Sequence, residues 1–216
     1  MAQQHSDSID LQAKLASAMT NYRETWQVVD SELYDLCRRR PGQRDFADVY
    51  GKVAVIGRVY SAGIARSSRA QGDRETEVAR GLIEQAALIE GTLHDLGGRQ
   101  LDRATAGEII GLHGRVTRGL CSHTGDRWLT SFVSKYLHFH CDIVPVYDSL
   151  ATKAIGQFVN WGIVSRVRTS IAEPEGRVPV YYNFVTAFLV MRERIAAETS
   201  IPATVKDVDY LLWQSA

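Results

Sequence analysis

Lys135 and Asp148 are the two side chains of this sequence whose type and setting point most directly to chemistry. Lys135 lies in Trp128-Leu129-Thr130-Ser131-Phe132-Val133-Ser134-Lys135-Tyr136-Leu137-His138-Phe139-His140, a helical stretch with apolar residues all round it. An amine desolvated in such surroundings gives up its proton readily and becomes a nucleophile. A lysine with its head in solvent is the alternative reading of the same stretch. Asp148 follows Cys141-Asp142-Ile143-Val144-Pro145-Val146-Tyr147, where Pro145 stops the preceding helix. The loop so fixed delivers Asp148 to the first turn of another helix. There its carboxylate either caps backbone N–H groups or points into a cleft, where it can stabilise positive charge.

The composition sharpens the interest in Lys135. Of the 25 basic residues twenty are Arg and five are Lys (Lys14, Lys52, Lys135, Lys153 and Lys206), a bias that base composition explains and that makes each lysine conspicuous. A second constellation, Cys121-Ser122-His123 with His138-Phe139-His140-Cys141, offers five possible zinc ligands. Its spacing argues against a metal site, because residues two apart point about 200° away from each other on a helix. No metal and no cofactor are expected.

The elements that must position these residues read almost entirely as helix. Residues 9–36 carry apolar side chains at three- and four-residue steps, as two helices or one bent helix, ending at Arg38-Arg39-Arg40-Pro41-Gly42. Phe46 to Ile64 reads as a buried helix and 67–76 as a loop whose Asp73 or Thr76 caps the next helix, which runs to Gly97-Gly98. Thr105 with Glu108 has the form of a capping box for a helix to about Leu120. A polar turn, Ser122 to Asp126, precedes a helix from about Arg127 to Phe139. Further helices are expected after Asp148, at about 178–198 and at 203–214, the last opening on Thr204 with Asp207. The sum is one compact all-α domain of eight to ten helices spanning 1–216, without repeats or a long linker.

Length and charge set outer limits. At 216 residues with 45% apolar content, the chain can bury a full core without disulfides or metal. Three widely spaced cysteines suit a reducing compartment, and neither a signal-peptide pattern nor a membrane-spanning apolar run is present, so a cytoplasmic, monomeric protein is expected. The formal net charge is zero, which excludes an indiscriminate nucleic-acid binder. That zero conceals a +3 segment at 98–140, whereas 1–57, 58–97 and 141–216 each carry −1. Phosphate-loop, dinucleotide-binding and nucleophile-elbow motifs are missing from the sequence.

Taken together, the order helix, hairpin, helix with Ser134-Lys135, apolar loop, Val144-Pro145-Val146-Tyr147-Asp148, helix resembles the helix-hairpin-helix DNA glycosylase superfamily, in particular its bacterial 8-oxoguanine glycosylase-like branch. The likeness is strongest over about 105–160. It implies a helix-hairpin-helix scaffold, a degenerate one here since His123-Thr124-Gly125-Asp126 stands in place of a double-glycine hairpin, and a catalytic Asp148 at a helix N-terminus. It also implies Lys135 as the nucleophile of a bifunctional glycosylase/lyase if the intervening helix is two turns shorter, with Tyr147 as an extra residue before the Asp. The implied partner is DNA bearing a damaged or modified base, in repair or in defence against foreign DNA.

Cleaving an N-glycosidic bond builds positive charge on the sugar, which a carboxylate at C1′ stabilises; an attacking lysine forms a Schiff base there instead. The base must first leave the stack, so aromatic walls are needed, and Tyr147, Tyr136, Trp128 and Tyr60, with His138, are the candidates. Arg115, Arg118, His123, Gly125 and Arg127, around the hairpin in the positive segment, are candidate phosphate contacts. The competing reading is a non-catalytic helical module that binds DNA or protein, with Asp148 only a cap and Lys135 only a surface residue.

Overall fold

The computed structural model describes residues 2–60, 62, 64 and 73–216, residues 2–9 by backbone alone. Eleven helices and no strands occur among the described residues. They are α1 (Ala2–Glu24), α2 (Gln27–Arg39), α3 (Phe46–Val59), α4 (Arg74–Glu84), α5 (Ala86–Leu96), α6 (Arg103–Thr124), α7 (Thr130–His140), α8 (Ser149–Ile155), α9 (Trp161–Arg168), α10 (Pro179–Glu198) and α11 (Val205–Gln214).

Local chemistry sets most of their starts. Asp45, Asp73, Asp148 and Asn160 each accept a backbone N–H of the turn that follows, and Thr204 with Asp207 forms the expected reciprocal box. Three expectations need correction. The capping box of α6 is Asp102 with Thr105, three residues earlier than Thr105 with Glu108, because Thr105 is itself the N3 partner of the Asp. The stripe from Val78 to Leu96 is two helices that meet at Gln85, whose side-chain amide donates to Gly81 O and Val116 O across the break. Most of the expected loop at 67–76 lies outside the described residues, and α7 starts at Thr130, not near Arg127.

α7 is the central element. It packs on α2, α3 and α6, and Phe132 through Phe139 are all buried. Large side chains such as Phe132, Tyr136, Ile109 and Phe188 fill the interior, each contributing about 1.5–3 kcal/mol of burial. The buried apolar residues from Leu11 to Leu212 form one continuous cluster. α11 returns to lie on α1 and α8, so the C-terminal helix closes against the site-bearing segment. Between α6 and α7, Gly125 adopts φ 62° and Asp126 φ 59°, and both amides bond to Cys121 O. The left-handed cap explains the glycine at this turn. Among the described residues no helix is long and apolar enough to cross a membrane.

Candidate functional site

The Pro-containing loop between α7 and α8 is held by three side chains. His138 Nδ1 bonds to Val144 O at 2.8 Å, Tyr181 Oη donates to Pro145 O at 3.0 Å, and Ser134 Oγ accepts from Tyr147 N at 3.0 Å. Because a carbonyl only accepts, Nδ1 of His138 carries the proton, leaving Nε2 to accept from Tyr34 Oη at 2.5 Å. The loop ends in Asp148, whose Oδ1 accepts from Ala151 N at 2.7 Å. One carboxylate oxygen thus caps α8, and the other, Oδ2, lies 4.0 Å from Lys135 Nζ. The cap and the cleft readings of Asp148 are both fulfilled, each by a different oxygen.

Both residues line a pocket of about 540 Å³, within the size range of small-molecule sites. Its walls include the rings of Trp26, Tyr60, Tyr147, Tyr210 and Trp213. Lys135 is 96% withdrawn from solvent at its side chain, donates to Ser131 Oγ at 2.9 Å, and sits 5.6 Å from the centroid of Tyr60. Burial lowers its affinity for a proton below the ordinary lysine value; Asp148 and Asp209 oppose this and Lys206 adds to it.

The floor of the pocket is a buried ionic cluster. Lys206 Nζ lies 3.1 Å from Tyr60 Oη, from Asp209 Oδ2 and from Asp30 Oδ2, the last aligned as an ion pair and not as a hydrogen bond. Tyr60 Oη in turn donates to Asp30 Oδ1. Burial works against the Lys206 charge, but Asp209, Tyr60 and Asp30 outweigh it and hold the ammonium well above its usual range. Asp209 moves the other way from an ordinary carboxyl, raised by burial against the pull of Lys206.

Sequence reasoning brought Lys135, Asp148, Tyr147 and Tyr60 to this pocket, and the structure joins all four. It places three other candidates elsewhere. Tyr136 is fully buried, with Oη donating to Gln43 Oε1 at 2.5 Å; His138 is a core residue that fixes the loop; Trp128 is exposed and does not line the pocket. None of Arg115, Arg118, His123, Gly125 and Arg127 lines it either. They lie along the second half of α6 and in the turn that follows it, with Arg115 and Arg118 exposed, the Arg118 guanidinium beside Gly176, and His123 Nε2 3.0 Å from Glu84 Oε2.

The residues missed were Asp30, Lys206, Asp209, Trp26 and Trp213. The shortage of lysines was the available signal for Lys206. Three of the five, Lys52, Lys135 and Lys206, are buried, against the strong tendency of lysine to stay exposed. Lys52 has a structural task, donating to Arg40 O and Gly42 O at 2.9 Å each. A larger groove of about 1330 Å³ runs beside α1, α2 and the start of α11; two of its arginines are engaged, Arg38 with Asp35 and Arg99 with Glu108. Among the described residues no group of three or more His, Cys, Asp or Glu side chains is arranged to hold a metal.

Three neutral histidines support this architecture. His113 Nε2 donates to Thr130 O at 3.0 Å and its ring stacks on Tyr181 at 3.7 Å, while His140 Nδ1 donates to Tyr136 O at 2.8 Å. Burial brings His113, His138 and His140 down from 6.5 to about 4, 3 and 4. Between those values and 6.5 only the unfolded chain binds these protons, so their stabilising effect is complete above pH 6.5 and is lost as the pH falls toward 4. At pH 5 the loss is on the order of 2 kcal/mol per histidine. Asp209, with its raised affinity, offsets part of it. The melting temperature is therefore expected to drop steeply between pH 7 and 5; a flat profile would show that these rings are not buried neutral.

Comparison of the chain with protein-family models, with curated proteins and with solved structures found no match.

Proposed function

We propose that this pocket cleaves the N-glycosidic bond of a damaged or modified base in DNA. The observation that carries the reading is the juxtaposition of a buried lysine and a helix-capping carboxylate, 4.0 Å apart, in an aromatic-walled pocket. The pocket receives the extruded nucleotide, with the base against rings such as Tyr60, Tyr147 and Trp26. Asp148 Oδ2 then faces the sugar and stabilises the positive charge that grows at C1′ as the base departs. The Lys135 amine attacks C1′, its lone pair forming the new C–N bond as the glycosidic pair leaves with the base, which takes up a proton from water; one proton then passes from the new ammonium to O4′ as the C1′–O4′ bond opens, giving the protonated Schiff base. Phosphate contacts fall to Arg115, Arg118 and Arg127, along the second half of α6 and in the turn that follows it, in the one segment with a positive charge balance. The degenerate hairpin, the family assignment, and the repair or defence role belong to the same proposal.

Lys206 is not an alternative nucleophile, since its ammonium is already engaged by three oxygens. The test is borohydride reduction during incubation with a panel of duplexes carrying oxidised, alkylated or hypermodified bases. A covalent protein–DNA adduct that maps to Lys135 by peptide mass spectrometry is expected, and Lys135→Gln abolishes it. An adduct mapped to any other lysine would remove Lys135 from the chemistry.

A further inference from the structure

The charges around Lys135 come from four helices. Its own helix α7 contributes Ser131 as hydrogen-bond partner, α8 brings Asp148 at its cap, α11 brings Lys206 and Asp209, and α2 brings Asp30; Tyr60 follows α3. Among the described residues that line the pocket, this makes three carboxylates against two amines. Left unbalanced, three carboxylates around one lysine would bind its proton firmly and silence it. Lys206 prevents this. It is 3.1 Å from both Asp30 and Asp209, and its remaining contact is Tyr60 Oη at the same distance. Both lysine nitrogens lie near the Tyr60 ring, Lys206 Nζ at 5.2 Å and Lys135 Nζ at 5.6 Å from its centroid.

We propose that Lys206 is a positioning residue for Lys135: its ammonium, shared between Asp30 and Asp209 at 3.1 Å from each, offsets one of their two negative charges and so weakens the negative field that would otherwise hold the proton on the Lys135 amine. The inference deepens the reading of Lys135 as a nucleophile and does not depend on which bond it attacks. The opposing influences of Asp209 and Lys206 on Lys135 agree with this division of labour. Asp209 favours the ammonium, and Lys206 both offsets Asp209 and repels a second positive charge.

Brief labelling with formaldehyde and cyanoborohydride across a pH series, read lysine by lysine by peptide mass spectrometry, tests the proposal without DNA. The exposed Lys14 and Lys153 serve as internal references. In the unaltered protein the pH of half-maximal labelling is expected to be lower for Lys135 than for either reference. Asp209→Asn removes a carboxylate that favours the ammonium and is expected to lower the Lys135 midpoint by about one further unit. Lys206→Met exposes Lys135 to two unbalanced carboxylates and is expected to raise it by about the same amount. Opposite shifts are not produced by general loosening of the pocket. Midpoints that stay put in both variants, or move the same way, overturn the proposal. Should Lys206→Met fail to fold, by circular dichroism, Asp209→Asn decides alone: a downward shift supports the proposal and no shift or an upward one overturns it. Correct labelling shifts with no base released from any duplex would keep the tuned lysine and discard its DNA substrate.

Discussion

Asp148→Asn is expected to reduce base release by about 10²–10³-fold while leaving the melting temperature within about 2 °C of the unaltered protein. The separation follows from the two oxygens. Asn keeps a side-chain oxygen to accept from Ala151 N, and it caps helices about as well as Asp, so α8 keeps its first turn. What disappears is the negative charge facing Lys135, which in the proposed reaction stabilises the transition state. Asp148→Ala makes a useful contrast, because it loses the cap as well and costs about 1 kcal/mol of stability besides the activity. Base release measured under single-turnover conditions, with thermal melts of the same samples, reads both quantities. Release by Asp148→Asn at the unaltered rate would return Asp148 to the role of a cap alone.

The largest effect on stability is expected at Lys206. Lys206→Met removes the ammonium from two carboxylates, one of them, Asp30, fully buried. Removing one partner of a buried ionic group costs about 3–5 kcal/mol, because the stranded charge must stay desolvated or take up a proton. For a chain of this length that is a fall of roughly 10 °C or more in melting temperature. The deficit is expected to shrink as the pH is lowered from 7 toward 5.5, since Asp209, already raised by burial and then without the opposing pull of Lys206, takes up a proton. Adding Asp209→Asn and Asp30→Asn to Lys206→Met is expected to recover part of the loss, since no buried charge is then left without a partner. Melts of the single and triple variants at the two pH values check this; equal losses in both, independent of pH, would mean that packing of the lysine stem and not charge sustains the cluster.

These two residues also show how far the sequence could be read. Asp148 was legible because its signal is local: a proline that ends one helix, a short loop, and a good N-cap residue. Lys135 was legible because a lysine among apolar neighbours is an anomaly. Lys206 meets Tyr60 and Asp30 only in three dimensions, 146 and 176 positions away in the sequence. Only the pair of Lys206 with Asp209, one helical turn apart, leaves a local trace, and such pairs are ordinary on helix surfaces.

Aromatic and histidine candidates on α7 were harder for a related reason. From Phe132 to Phe139 the helix is buried on every side, so periodicity cannot separate a face toward the pocket from a face toward the core. Tyr136 and His138 face the core, while Ser131 and Lys135, one turn apart, reach the pocket. The break at Gln85 was hidden because neither Pro nor Gly marks it and the apolar stripe continues across it. The short helix α9 was passed over although Asn160 caps it through Gly162 N and Ile163 N.

The proposed chemistry comes down to one event, the release of a free base by the pocket that holds Lys135 and Asp148. Chromatography with mass spectrometry of the small molecules set free from a panel of modified-base duplexes observes that event directly. The expected result is the intact modified base from at least one duplex and nothing from the unmodified control, with release absent in the double variant Lys135→Gln and Asp148→Asn. Duplex binding without a free base from any member of the panel would contradict the account and leave a helical binding module in its place.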